Sequence, residues 1–303
     1  MKKNKILIGT RASKLALIYA NRAKDEIAKV FSGEIELIKI TTEGDQNQKD
    51  RLSDIGGKGL FSKKIEEELI NKKIDLAVHA LKDMPSEETD GLITNCFLER
   101  NDPREVLISR KKKKFNELDK NSIVGTSSFR REFQLKKIRK DLNYKLIRGN
   151  VDTRLKKLKN GEYDAIVLSK AGLASLKLEN EITHEFSNKE LMPSAGQGTI
   201  AIQCRKYDYE MIEFLKQINH KETSIGVKAE REILKVLDGD CETAVGAISK
   251  IQKDKIIIKG ELFSLDGTKR YYHEVTCDLK DAFIGGSEVG KRLKEKSKGD
   301  YKK

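Results

Sequence analysis

The sequence has no tryptophan, only three prolines, four cysteines and four histidines, and no long apolar run. Each scarcity removes a class of function. The longest apolar stretches, such as Ala165-Ile166-Val167-Leu168, fall far short of the roughly 20 residues a membrane span needs. Met1-Lys2-Lys3, followed by only Ile6-Leu7-Ile8 before Gly9, is too short for a signal peptide. The expectation is a cytoplasmic globular protein with no membrane partner. Cys96, Cys204, Cys241 and Cys277 lie far apart with no C-x-x-C pair, and His79, His184, His220 and His273 are equally scattered. That spacing offers no metal site and, in a reducing compartment, no disulfide framework. Three of the cysteines sit in or beside apolar stretches, as small buried hydrophobes do. Cys241 differs, because it follows Asp238-Gly239-Asp240 at the end of a helical pattern, in a turn expected to be mobile and exposed.

Charge, in contrast, is abundant. Charged residues make up 36% of the 303 positions and hydrophobic residues 37%, with a net charge of +13. The length points to two or three domains. The basicity is local: residues 100–190 carry 23 Lys/Arg against 13 Asp/Glu, and residues 291–303 carry seven against two. Lys111 to Lys114 and the tail read as solvated surface, since like-charge runs repel. Eighteen Phe and Tyr with no Trp make a poor base-stacking surface, so a small polyanionic ligand fits better than a nucleic acid.

The periodicity alternates between strands and helices. Strands are expected at 5–9, 35–40 and 74–78, with helices at 12–30 and 61–71. The rhythm restarts with strands at 122–125, 144–148 and 163–168 and helices at 130–141 and 152–160. Such alternation indicates α/β layers with largely parallel sheets. Pro103 and Pro193 flank the basic segment, and the strand pattern at 198–204 returns the chain to the first sheet, a hinge architecture. A helix at 222–237, strands at 255–263 and 270–277 and a helix at 281–296 form a smaller α+β end, with Asp266-Gly267 as a hairpin turn signal.

Two nucleotide motifs fail. Gly56-Gly57-Lys58-Gly59 lacks Walker A spacing, and Gly196-Gln197-Gly198 precedes a strand instead of following one. What remains is a set of cations and hydroxyls at strand ends, where open α/β sheets bind ligands. Arg11 and Ser13 follow the first strand, Thr126, Ser127, Ser128, Arg130 and Arg131 another, and Arg148 a third, with Arg154 on the next helix. Planar guanidinium forks suit carboxylates, so the inferred ligand carries several. Lys82-Asp83 follows strand 74–78; Asp83 there is an acid–base or cation-stabilising group, or else a helix cap or surface ion pair. The loop from Asp54 to Phe61, with three glycines and a lysine, reads as a lid.

Seven ordered stretches resemble the porphobilinogen deaminase (hydroxymethylbilane synthase) family. They are Gly9-Thr10-Arg11-Ala12-Ser13-Lys14-Leu15-Ala16-Leu17, Gly56-Gly57-Lys58-Gly59-Leu60-Phe61, Val78-His79-Ala80-Leu81-Lys82-Asp83-Met84-Pro85, Gly125-Thr126-Ser127-Ser128-Phe129-Arg130-Arg131, Arg148-Gly149-Asn150-Val151-Asp152-Thr153-Arg154, Pro193-Ser194-Ala195-Gly196-Gln197-Gly198, and Glu230-Arg231 with Gly239-Asp240-Cys241. The resemblance implies a transferase of tetrapyrrole (haem) biosynthesis that joins four porphobilinogen molecules head to tail into hydroxymethylbilane, releasing ammonia. It implies a dipyrromethane cofactor attached covalently to Cys241 and held in the cleft between the first two of three domains. The expected fold is α/β, with two hinged periplasmic-binding-protein-like domains (1–98 with 199–217, and 99–198) and a small α+β domain (218–303). On the same basis Asp83 is catalytic; Lys82, Ser13, Ser128, Arg130, Arg131 and Arg148 bind the cofactor. Arg11, Ser13, Arg148, Arg154, Phe61 and Lys58 serve the substrate; Lys170 joins them as a reading of this chain's own residues, not of the resemblance. A monomer is expected.

The chain departs from the family pattern at Ala80, where many relatives have Ser, and after Cys241, where a proline is lacking. It departs again at Ser175, where relatives usually have Arg. Lys170, at the end of strand 163–168, is the expected substitute cation. From the residues alone, a non-catalytic solute-binding protein and a basic nucleic-acid-binding protein remain as rival readings.

Overall fold

The computed structural model describes residues 3–42, 44, 59–239 and 243–302. In chain order the first elements are β1 (Lys5–Arg11), α1 (Lys14–Ala28), β2 (Glu34–Ile40), α2 (Lys63–Ile70), β3 (Leu76–Ala80) and β4 (Leu92–Phe97). A middle series follows: β5 (Glu105–Ser109), β6 (Ile123–Gly125), α3 (Phe129–Ile138), β7 (Asn143–Lys145), α4 (Val151–Lys159), β8 (Ala165–Ser169), α5 (Lys170–Ser175) and β9 (His184–Glu185). The last are β10 (Ile200–Arg205), α6 (Tyr209–Lys216), α7 (Lys221–Val236), β11 (Val245–Gln252), β12 (Lys255–Phe263), β13 (Arg270–Asp278) and α8 (Ala282–Ser297). Two compact units result. One takes its described residues from 3–44, 59–101 and 198–224, the other from 102–197 and 225–302.

The first unit is built on a five-stranded sheet of order β2-β1-β3-β10-β4. β1 lies parallel to β2 and β3, whereas β10 runs antiparallel to both of its neighbours. β3 and β10 are buried on both faces because helices cover both. Ile6, Ile8, Val78 and Ile202 pack with Ala20, Ala23 and Ile27 of α1 on one side. On the other, Ile40 and Ala77 pack with Ile65 and Leu69 of α2.

The second unit repeats the scheme, with order β7-β6-β8-β5-β9. β6 is parallel to β7 and β8, and β5 is antiparallel to β8 and β9. The odd strand of each sheet, β10 or β5, is the one formed just after the chain crosses from the other unit. The same unit also holds the antiparallel meander β11-β12-β13. Helices α7 and α8 cover it, with Ala229, Ile233, Ile256, Ile258, Val289 and Leu293 in its core. Gly286 permits this packing, since a Cβ there would stand 2.3 Å from the Ala229 carbonyl oxygen. Glu230, fully buried on α7, accepts from the Gly196 amide and from the Ser249 amide and hydroxyl, each at 2.8 Å, tying the 193–198 loop to the meander.

The hairpin turn signalled by Asp266-Gly267 forms, with β12 and β13 joined by six residues, 264–269. Asp266 Oδ1 organises them by accepting from Ser264 Oγ (2.5 Å) and the Thr268 amide (3.0 Å). The 144–148 strand shortens to Asn143–Lys145, leaving Arg148 in the loop before α4. Lys170 does not end a strand; it opens α5.

Candidate active site

In the first unit the site forms where β1 and β3 end, the edge at which the first turns of α1 and α2 begin. Arg11 is the last residue of β1, and Ser13 caps α1, its Oγ accepting from the Ala16 amide at 3.3 Å. This is the hydroxyl N-cap that short polar side chains favour. β3 leads into a 3-10 turn, Leu81–Asp83, which presents the half-buried Lys82 and Asp83. The Arg11 guanidinium lies 4.0 Å from the centre of the Phe61 ring, a cation–π contact. Its Nη1 stands 3.9 Å from Asp83 Oδ2. At that separation the charges attract without a hydrogen bond, so neither group is committed to the other. Asp83, about one-third exposed, opens with Arg11, Ser13, Phe61, His79 and Tyr19 onto a pocket of about 50 Å³.

Behind it runs a buried polar chain that the sequence reading did not single out. His79 Nε2 meets Gln203 Oε1 at 3.2 Å, and Gln203 Nε2 donates to Glu66 Oε1 at 3.0 Å. Glu66 Oε2 accepts from Thr89 Oγ1 (2.9 Å) and Ser62 Oγ (3.4 Å). The available signal is Glu66 next to Ile65 and in step with Leu69, on the apolar face of α2.

In the second unit Ser128 caps α3, its Oγ accepting from the Arg131 amide at 3.4 Å. Arg130 and Arg131 are both buried, and Nη2 of each donates to one oxygen of the fully buried Glu105 at 2.7 Å. Arg130 Nη1 also donates to the Met192 carbonyl (2.5 Å) and Arg131 Nη1 to the Val167 carbonyl (3.1 Å). Burial pushes the Arg130 guanidinium below its ordinary range, and Glu105 opposes that shift. Two cations against one anion leave a net positive charge beside the α3 N-terminus. Glu105 was not read from the sequence, although an acid opening the apolar strand Glu105–Ser109 requires a partner. Replacing it with alanine strands two buried guanidinium groups, so urea unfolding should show a loss of about 3–5 kcal/mol. A loss under about 1 kcal/mol would show that the pair is not held by Glu105.

Arg148 is buried beside Gly149, whose φ of +108° only glycine adopts readily. Arg154 Nε donates back to the Gly149 carbonyl at 2.8 Å, so the two arginines belong to one turn. Lys170 stands elsewhere, bonded to Glu185 Oε1 at 2.6 Å and to Asp102 Oδ2 at 3.3 Å. Arg104 shares both carboxylates. The bond to Glu185 raises the Lys170 ammonium above its ordinary range, and Asp102 adds to it. Two acids thus already answer its charge. Ser175 Oγ donates to the Ala171 carbonyl within α5. Lys58, Cys241 and most of the Asp54–Phe61 loop lie outside the described residues.

The family described as "Porphobilinogen deaminase, dipyromethane cofactor binding domain" matches residues 6–213, and its C-terminal domain matches 224–295. The chain belongs to the porphobilinogen deaminase family. A porphobilinogen deaminase of Rickettsia bellii is 44% identical over 291 residues, covering 95% of this chain and 97% of that protein. One from Alkaliphilus metalliredigens is 40% identical over 292 residues, covering 96% and 92%. Among solved structures, a putative methionine-binding lipoprotein of Bacillus subtilis aligns with a TM-score of 0.44 and 15% identity, covering 74% of this chain and 93% of that one. The family's enzymes polymerise porphobilinogen into hydroxymethylbilane with release of ammonia, in tetrapyrrole biosynthesis, and carry a dipyrromethane cofactor. That is the activity and the cofactor of this chain.

Proposed function

We propose that the polymerisation is carried out at Asp83, with Arg11 and Phe61 beside it, and that Cys241 bears the dipyrromethane as a thioether. The observation that carries this is Asp83 held near Arg11 without a hydrogen bond, on a pocket at the ligand-binding edge of the sheet. A carboxylate so placed keeps its lone pairs for the N–H of a pyrrole. As ammonia departs, the ring becomes cationic, and a fixed negative charge stabilises that state more than the starting one. Asp83 then takes up the proton lost from the carbon that has formed the new bond. Phe61 covers a ring face, and Arg11 counters a ring carboxylate. Lys58 serves the loop before Phe61.

The described residues fit the cofactor. Arg131 Nε is buried without a hydrogen-bond partner, and the Arg130–Arg131–Glu105 group carries one surplus positive charge beside the Ser128 cap. Such a donor set suits the acetate and propionate groups of a pyrrole pair. Lys82, Ser13, Ser128, Arg130, Arg131 and Arg148 are therefore proposed for the cofactor, and Arg148 and Arg154 for the growing product. Once attached, the dipyrromethane supplies the free pyrrole carbon from which the chain is extended. The burial of the other three cysteines, partial at Cys277, supports Cys241 as its anchor. Burial pushes the thiols of Cys96 and Cys204 up to about 12 and raises that of Cys277, so none of the three is a ready nucleophile. Lys170, already between Glu185 and Asp102, is the weakest member of the substrate set.

The finer assignments are three domains (1–98 with 199–217, 99–198 and 218–303), each with one of the three sheets, and a cytoplasmic monomer. Light scattering of the purified chain tests the last. Incubation with porphobilinogen should release ammonia and, after oxidation, give a uroporphyrin chromophore. A chain that binds porphobilinogen and releases no ammonia would instead be a solute-binding protein.

A further inference from the structure

Porphobilinogen offers an enzyme two kinds of hydrogen-bond donor, its ring N–H and its aminomethyl ammonium. Asp83 answers the first. The polar chain behind the pocket supplies an acceptor for the second. Glu66, with both oxygens accepting from Gln203, Thr89 and Ser62, fixes which way the Gln203 amide points: its NH₂ faces Glu66, so its oxygen faces His79. An oxygen facing His79 Nε2 at 3.2 Å requires the proton to sit on that nitrogen. Nδ1 is then a bare lone pair, and among the described residues it has no hydrogen-bond partner. His79 lines the same pocket as Asp83, Arg11 and Phe61.

We propose that His79 is a further substrate-binding residue: Glu66, acting through Gln203 as a positioning pair, holds the imidazole in its Nε2–H tautomer, and Nδ1 accepts a hydrogen bond from the aminomethyl ammonium of porphobilinogen. The charged groups that act on the ring are Glu66 and Asp83, which favour its protonation, and Arg11, which opposes it. Burial, with Arg11 in the same direction, outweighs the two acids and the Gln203 hydrogen bond and keeps the ring less basic than an ordinary histidine. A weak base is what this task needs. An alkylammonium loses its proton only around pH 10, so the imidazole holds the group without deprotonating it. The C–N bond then breaks with its electron pair going to nitrogen, and neutral ammonia leaves. No proton moves to His79 in this step.

The proposal rests on Asp83 marking the reacting centre, so the test carries Asp83→Asn alongside. In holoenzyme labelled with ¹⁵N-histidine there are only four imidazoles to resolve, and the signal missing from His79→Gln assigns His79. It should appear as Nε2–H with an unprotonated Nδ1 at neutral pH. Glu66→Gln, which lets the Gln203 amide turn over, should mix the two tautomers. In steady state His79→Gln, whose amide reaches Gln203 but leaves nothing at Nδ1, should raise KM for porphobilinogen about 10-fold, the size expected for losing a charge-assisted bond. His79→Asn, whose amide falls where Nδ1 stood, should recover most of that loss. An Nδ1–H tautomer in the parent enzyme overturns the proposal whatever the variants do. Equal KM values in the parent, His79→Gln and His79→Asn overturn it too. If Asp83→Asn turns over normally, the assignment of the reacting centre falls instead, while the tautomer measurement still reports on Glu66 and Gln203.

Discussion

Asp83→Asn is expected to lower kcat by about 10²-fold or more while leaving the fold and cofactor attachment in place. Asparagine keeps the size of the side chain and removes the charge. The substrate in its ground state is not a cationic ring, so losing the charge costs the transition state more than the bound substrate. The loss should therefore fall on kcat and not on KM. Asp83 is about one-third exposed and pairs only loosely with Arg11, so its removal leaves no buried charge unpaired. Thermal unfolding should shift little. Near-normal turnover in the variant would exclude Asp83 from the centre of the reaction.

Cys241→Ala should abolish activity outright, the largest effect of any single change. Intact-mass spectrometry of the parent should show one covalent adduct, and the variant should lack it. A thioether forms only from an accessible, nucleophilic sulfur. Burial raises the other three thiols above their ordinary range, Cys96 and Cys204 to about 12, which disfavours the nucleophilic thiolate. An adduct found on Cys96, Cys204 or Cys277 would move the anchor and with it the cofactor assignment.

The strand ends that carry Arg11, Ser13 and Asp83 in the first unit and Ser128 in the second are legible in the sequence, because hydrophobic periodicity locates strands and the chemistry follows at their ends. What one residue's neighbours do to it is not legible. Arg130 and Arg131 read as free cations, but Glu105, some 25 positions earlier, meets them only after β5 has joined the sheet. Lys170 read as a spare cation for the same reason. Its acids, Asp102 and Glu185, come from two segments that periodicity cannot bring together. Gln203 carries no signal at all, because a glutamine in an apolar strand gains meaning only from Glu66 and His79 across the sheet. The two-residue β9 also escapes, since two residues define no period.

The place of β10 has a consequence for how the protein is made. β3 and β4 are joined only through β10, a strand roughly a hundred residues further along the chain than β4. A ribosome adding about 5–20 residues per second takes about 5–20 s to cover that interval. Throughout it, two apolar strand edges of the nascent first unit stand open, the kind of template on which chains aggregate. Fragments ending before Ile200 should thus precipitate or be degraded. Mutations that slow the middle segment should cut yield without touching any residue of the pocket.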